Sequence, residues 1–171
     1  SPLRGRLAYL GLRSNGWDTD DALRLASVWG DASIEHLEMY WNKLELDAVA
    51  ALLCHGARAP LRRLEVFSNH IVPGTISPAH RASEPMSLDV LSLADNPLGD
   101  SGWASLCEQM SLRSIGALDL SGCALEDASA LTRGAPQVRE RLDVSNNPFS
   151  SQTIRALVEA PWNPSLSSLE V

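Results

Sequence analysis

One pattern recurs along this chain and leaves it little freedom to fold as anything but a stack. Leu7, Leu10, Leu12 and Asn15 are followed 27 residues on by Ile34, Leu37, Met39 and Asn42, and again by Leu61, Leu64, Val66 and Asn69. Leu88, Leu91, Leu93 and Asn96 make a fourth copy, and Ile115, Leu118 and Leu120 a fifth, with Cys123 in the place of the Asn. Copies therefore begin at 7, 34, 61, 88 and 115. A sixth, near 139, keeps Leu142, Val144 and Asn147 but has Val138 one place early and Arg139 where the first apolar residue belongs. A seventh begins at 166 and is cut after Val171, giving about six and a half units of 27 residues. A unit this short cannot bury its own apolar face; stacked units share one continuous core.

Each unit changes period halfway. Its fourth and sixth places alternate apolar with polar neighbours, which predicts a short strand with one buried face. The Asn that follows can both donate and accept, so a column of them is expected to satisfy turn backbone groups, with Cys123 interrupting it. The second half predicts a helix: Leu25, Leu52, Leu106 and Leu157 fall at the nineteenth place, with Ala22, Val49, Trp103 and Ile154 three residues earlier. Asp18 to Asp21, Asp47, Asp100-Ser101 and Ser150-Ser151 are the N-cap candidates. The third unit departs, because residues 72–85 hold three prolines and irregular backbone is expected there.

Charge narrows the function. The 171 residues carry 14 Lys+Arg against 21 Asp+Glu, a net −7. Residues 1–87 hold 9 basic and 10 acidic groups and residues 88–171 hold 5 and 11, so the acidity lies in the C-terminal half. A chain of this sign lacks the clustered cations that displace counterions from nucleic acid. No apolar run approaches the ~20 residues that span a bilayer, so a membrane is not an expected partner. Cys54, Cys107 and Cys123 form no metal-ligand spacing and are odd in number, which points to a reducing, cytoplasmic setting. The opening Ser1-Pro2-Leu3-Arg4 has neither an initiator Met nor a leader. With the last copy cut mid-motif, residues 1–171 are expected to form one repeat domain within a longer protein.

The motif, together with Leu98-Gly99-Asp100-Ser101-Gly102-Trp103-Ala104-Ser105-Leu106, resembles leucine-rich repeat proteins of the ribonuclease-inhibitor-like class. The resemblance covers residues 7–171 and implies an α/β solenoid with a curved parallel sheet inside and helices outside. Relatives of that class include ribonuclease inhibitors, Ran-type GTPase-activating proteins, NOD-like immune receptors and tropomodulin-like actin cappers. It implies a non-enzymatic module that binds a protein partner on its concave face. The alternatives are a ligand-sensing or autoinhibitory segment of a larger NOD-like receptor and a Ran-type GTPase-activating domain.

In such a stack the third, fifth and seventh places point out of the concave face as columns about 4.8 Å apart. The third-place column runs Tyr9, His36, Arg63, Val90, Ala117, Arg141 and Ser168; the fifth runs Gly11, Glu38, Glu65, Ser92, Asp119, Asp143 and Glu170; the seventh runs Arg13, Tyr40, Phe67, Ala94, Ser121 and Ser145. Tyr9, Tyr40 and Phe67, with Trp41 and His70 at the strand exits, gather rings on one solvent face, the usual mark of a binding surface. Glu38 and Glu65 lie one strand apart and call for a counter-charge, which Arg63 can supply. Tyr9, His36, Glu38, Tyr40, Trp41, Lys43, Arg63, Glu65, Phe67 and His70 are accordingly the expected partner-binding residues.

No catalytic, metal or cofactor site is expected. His36, Glu38, Glu65 and His70 supply candidate ligands, but no His-x-x-x-His or Glu-x-x-His pair places two on one helix face. Gly99-Asp100-Ser101-Gly102 reads as a turn and is too short to cradle a nucleotide. Cys54 and Cys107 lack a basic neighbour in sequence and read as structural thiols; Trp29 and Trp103 read as packing residues of the helices.

Overall fold

The computed structural model describes residues 7–29, 33–58, 60–82, 84–132, 135–162 and 164–171; the opening Ser1–Arg4 lies outside them. Seven strands form one parallel sheet in chain order: β1 (Tyr9–Gly11), β2 (His36–Glu38), β3 (Arg63–Glu65), β4 (Met86–Ser92), β5 (Leu112–Asp119), β6 (Gln137–Asp143) and β7 (Ser168–Glu170). Helices α1 (Thr19–Val28), α2 (Leu46–Gly56), α3 (Gly99–Met110), α4 (Ser129–Thr132) and α5 (Ser151–Glu159) connect them, and in the proline-bearing third unit a single 3-10 turn at Pro78–His80 stands in for a helix. A parallel neighbour needs a crossover, and each unit's second half supplies it.

The register reproduces the repeat place for place. Tyr9, His36, Arg63, Val90, Ala117, Arg141 and Ser168 pair in series, and so do Gly11, Glu38, Glu65, Ser92, Asp119, Asp143 and Glu170. Leu37, Leu64, Leu91, Leu118 and Leu142 alternate with them into a core that also takes Val49, Leu52, Trp103, Leu106 and Leu157 from the helices. Trp29 and Trp103 are buried there. Ile154 is not: it is 39% exposed on α5, where Leu157 carries the helix's buried contact.

The irregular sixth copy is a β-bulge. Ile115 pairs with Val138 and Ala117 with Arg141, so the single residue Gly116 faces two, Arg139 and Glu140. The bulge explains the early Val138, which keeps its buried place. A Cβ on Gly116 would lie 2.5 Å from the Asp89 carbonyl oxygen and 3.4 Å from Nη2 of Arg139. The bare glycine thus lets Arg139 reach across to β4, where Nη2 donates to the Leu88 carbonyl at 3.3 Å and lies 3.7 Å from the Asp89 carboxylate. The β5-to-β6 offset is 24 residues rather than 27, and α4 between them has only four residues.

Two cap expectations hold and two fail. Asp18 caps α1 in a reciprocal box with Asp21, and Ser150 accepts from the Thr153 amide at α5. Asp47 and Asp100 are not caps; they bind the neighbouring unit. Asp47 accepts from the Ser77 amide at 2.7 Å and faces His80 Nδ1 at 2.8 Å, while Asp100 accepts from the Glu126 and Asp127 amides at 3.3 Å. The Asn column forms as expected. Asn96, fully buried, accepts from the Asn69 and Ile71 amides and donates to the Val66, Leu93 and Ala94 carbonyls. At its gap the Cys123 thiol donates to the Leu93 carbonyl.

Candidate functional site

The helix-free face of the sheet over β1 to β3 carries the ring cluster. Tyr40 and Phe67, one strand apart at the seventh place, stack with centroids 4.2 Å apart and planes 13° from parallel. Trp41 stands edge-on to both, at 5.5 and 6.4 Å. Arg13 holds the other side of Tyr40: its Nη1 donates to the Tyr40 hydroxyl at 2.8 Å and its guanidinium lies 5.8 Å from the ring centre. Offset rings and a cation above a ring are the arrangements the aromatic quadrupole favours. The contact also holds the Arg13 guanidinium above its usual pKa.

A second cluster adjoins it. The Tyr9 hydroxyl donates to Glu38 Oε2 at 2.8 Å, and its ring meets His36 edge-on at 5.0 Å. The carboxylate that accepts this bond opposes a phenolate, so the Tyr9 pKa is raised. His36 Nε2 lies 2.9 Å from Glu65 Oε1 and 3.5 Å from Glu38 Oε1. Arg13 comes to 3.6 Å from Glu38 and Arg63 to 3.7 Å from Glu65. Eight of the ten expected residues therefore come together. Lys43 and His70 do not: both are exposed beyond the Asn column and make no hydrogen bond, ion pair or ring contact with the clusters.

Further along, Arg63, Phe67, Ser92, Asp119, Arg141 and Asp143 line much of a depression of about 370 Å³. Its acids are compensated from within. Arg141 binds Asp143 at 3.1 Å and Glu170 at 2.9 Å, and Asp119 accepts from Ser92 and Ser121.

A family model described as Leucine Rich repeat matches residues 84–107, which span β4 and most of α3. Over 171 aligned residues the chain is 30% identical to NACHT, LRR and PYD domains-containing protein 12 of Homo sapiens, covering 93% of this chain and 16% of that protein. It is 29% identical over 144 residues to NACHT, LRR and PYD domains-containing protein 5 of Homo sapiens, covering 78% of the chain and 12% of the relative. The repeat register, the parallel sheet and these matches agree. The chain is a leucine-rich repeat protein. It spans about a sixth or less of the curated relatives it matches. No helix among the described residues is long and apolar enough to cross a membrane.

One feature of this leucine-rich repeat protein escaped the sequence reading. The eighth place of every complete copy, just before the Asn or Cys, adopts left-handed backbone: Ser14, Trp41, Ser68, Asp95, Gly122 and Asn146 all have φ between 50° and 62°. Five of these are small or polar residues, the types that visit this region most readily, and that was the available signal. Trp41 is the exception, a bulky side chain held in a strained turn and 60% exposed. Strain of this kind costs about 1–2 kcal/mol and persists only where the surroundings over-determine it. The Asn column supplies that constraint, since Asn42 next to Trp41 is tied to the Leu12 and Met39 carbonyls.

Proposed function

We propose that this chain is a non-enzymatic module of a cytoplasmic protein and binds a protein partner on its concave face over β1 to β3. Trp41 carries the reading. It stands exposed beside the stacked Tyr40 and Phe67, at a place that the other five complete copies give to small or polar residues. Rings already held in one geometry bury apolar area on contact with little further loss of entropy. Arg13, Glu38, Arg63 and Glu65 around them set register by charge. The test uses the double variant Trp41→Ala, Phe67→Ala against a purified partner captured from the source cell. A loss of about 2 kcal/mol or more, roughly thirtyfold in affinity, is expected with an unchanged circular dichroism spectrum. Unchanged affinity with an intact fold refutes the site.

A second reading is favoured by the two relatives. The chain matches a small part of two much longer NACHT, LRR and PYD proteins, which supports a single repeat domain serving as the ligand-sensing or autoinhibitory part of a larger NOD-like receptor. A longer reading frame with a nucleotide-binding domain upstream supports this; a start codon immediately before residue 1 removes it. GTPase activation finds less support, because Arg13, the one arginine at a seventh place, is engaged by Tyr40 and Glu38.

A further inference from the structure

We propose that His36, Glu38 and Glu65 form a three-ligand site for a transition cation of the zinc type, bridging β2 and β3 on the helix-free face. The inference rests on local geometry and stands independently of the partner reading. One ligand atom from each residue lies within 4.8 Å of the other two. Zinc bonds to imidazole nitrogen and carboxylate oxygen are about 2.0–2.1 Å, so neighbouring ligands of a tetrahedron sit about 3.3–3.4 Å apart. The His36 Nε2 separations of 2.9 Å to Glu65 Oε1 and 3.5 Å to Glu38 Oε1 bracket that edge. Small side-chain rotations therefore convert the hydrogen-bonded set into a coordinated one, with the backbone unmoved.

The surroundings fit the ligand roles. The Tyr9 hydroxyl occupies Glu38 Oε2 and leaves Oε1 turned toward His36, while the Tyr9 ring edge steadies the imidazole; such outer partners orient metal ligands. Imidazole favours zinc over magnesium or calcium, which prefer oxygen ligands alone. Two carboxylates balance the divalent charge, and the open side of the sheet leaves the fourth position for water. Arg13 and Arg63 compete for the same carboxylates, at 3.6 and 3.7 Å. Both guanidiniums are about half exposed; Arg63 swings into solvent at little cost, and Arg13, held by the Tyr40 hydroxyl, has only its 3.6 Å contact with Glu38 to give up.

The experiment is titration of the full, tag-free chain, stripped with a chelator, with zinc chloride by calorimetry, followed by zinc X-ray absorption. One site of micromolar affinity is expected, with a nitrogen and oxygen shell at about 2.0–2.1 Å. His36→Ala and Glu65→Gln each weaken it by roughly tenfold or more, and Arg63→Ala tightens it by removing the competing cation. Each variant's circular dichroism spectrum stays that of the parent. A sulfur shell near 2.3 Å would move the metal to the cysteines and overturn the proposal. So would the absence of saturable binding, or equal affinity in His36→Ala.

Discussion

Replacing Asn96 with Ala removes the centre of the Asn column, and the structure sets the size of the loss. The Asn96 Oδ1 accepts from the Asn69 amide at 2.9 Å and the Ile71 amide at 3.2 Å, in a side chain with no solvent exposure. Neither amide has another acceptor among the described residues, so Ala leaves two buried donors unpaired, at about 1–3 kcal/mol each. The carbonyls fare better. Val66 keeps a donor in Asn69, Leu93 keeps the Cys123 thiol and Ala94 keeps the Ser68 amide. The donors therefore dominate, and the expected destabilisation is about 4 kcal/mol. Asn15→Ala is the control, since Asn15 is exposed and its side chain makes one bond, to the Arg13 carbonyl at 3.0 Å; about 0.5 kcal/mol is expected there. Urea unfolding followed together by circular dichroism and tryptophan fluorescence measures both, provided the two signals superimpose. Hydrogen exchange should quicken at the Asn69 and Ile71 amides. If Asn96→Ala falls within about 1 kcal/mol of the parent, or matches Asn15→Ala, the column is not what holds the turns.

Two further outcomes follow from the packing. Gly116→Ala places a Cβ 2.5 Å from the backbone oxygen of Asp89, so β4 and β5 must separate; a loss of about 1–3 kcal/mol by the same urea assay is expected, and an unchanged midpoint refutes the close approach. Burial pushes the Cys107 and Cys123 thiols up to about 12. A raised thiol pKa means the protonated form persists until pH nears that value. At pH 8 both should react with a disulfide reagent only slowly while native and fully in guanidinium, with mass spectrometry locating the sites; rapid native labelling of both contradicts this.

Much of the architecture was legible because a strand's period of two and a fixed repeat length together leave one register, and each outward column pairs as its spacing requires. Tyr40 beside Phe67 and Glu38 beside Glu65 followed from the same arithmetic. The misreadings share a cause. Asp47 and Asp100 look like helix caps to a rule that sees only the residues that follow, yet their partners lie about 30 residues away in the next unit. His36, Glu38 and Glu65 stood out in the sequence as candidate ligands, and they meet across neighbouring strands rather than at a helical spacing. Ile154 sat at the right interval but on a helix whose buried stripe is narrower than the interval implies. Lys43 and His70 belong to the repeat by position, and only the path of the chain past the Asn shows that they leave the clusters.

The shortened fifth unit carries a lesson about where such a chain can vary. Three residues are missing between β5 and β6, and the four-residue α4 together with the bulge at Arg139–Glu140 absorbs the change before Ala117 and Arg141 pair. Insertions and deletions on the helical side thus leave the outward columns aligned. Length and surface chemistry become separately editable: loops behind the sheet can be lengthened or trimmed while third-, fifth- and seventh-place residues are exchanged one at a time to retarget the face. The exceptions are outward side chains that also bind their own turn. Asp143 accepts from the Ser145 amide and hydroxyl and is largely buried, so redesign of the recognition face should leave that position unchanged.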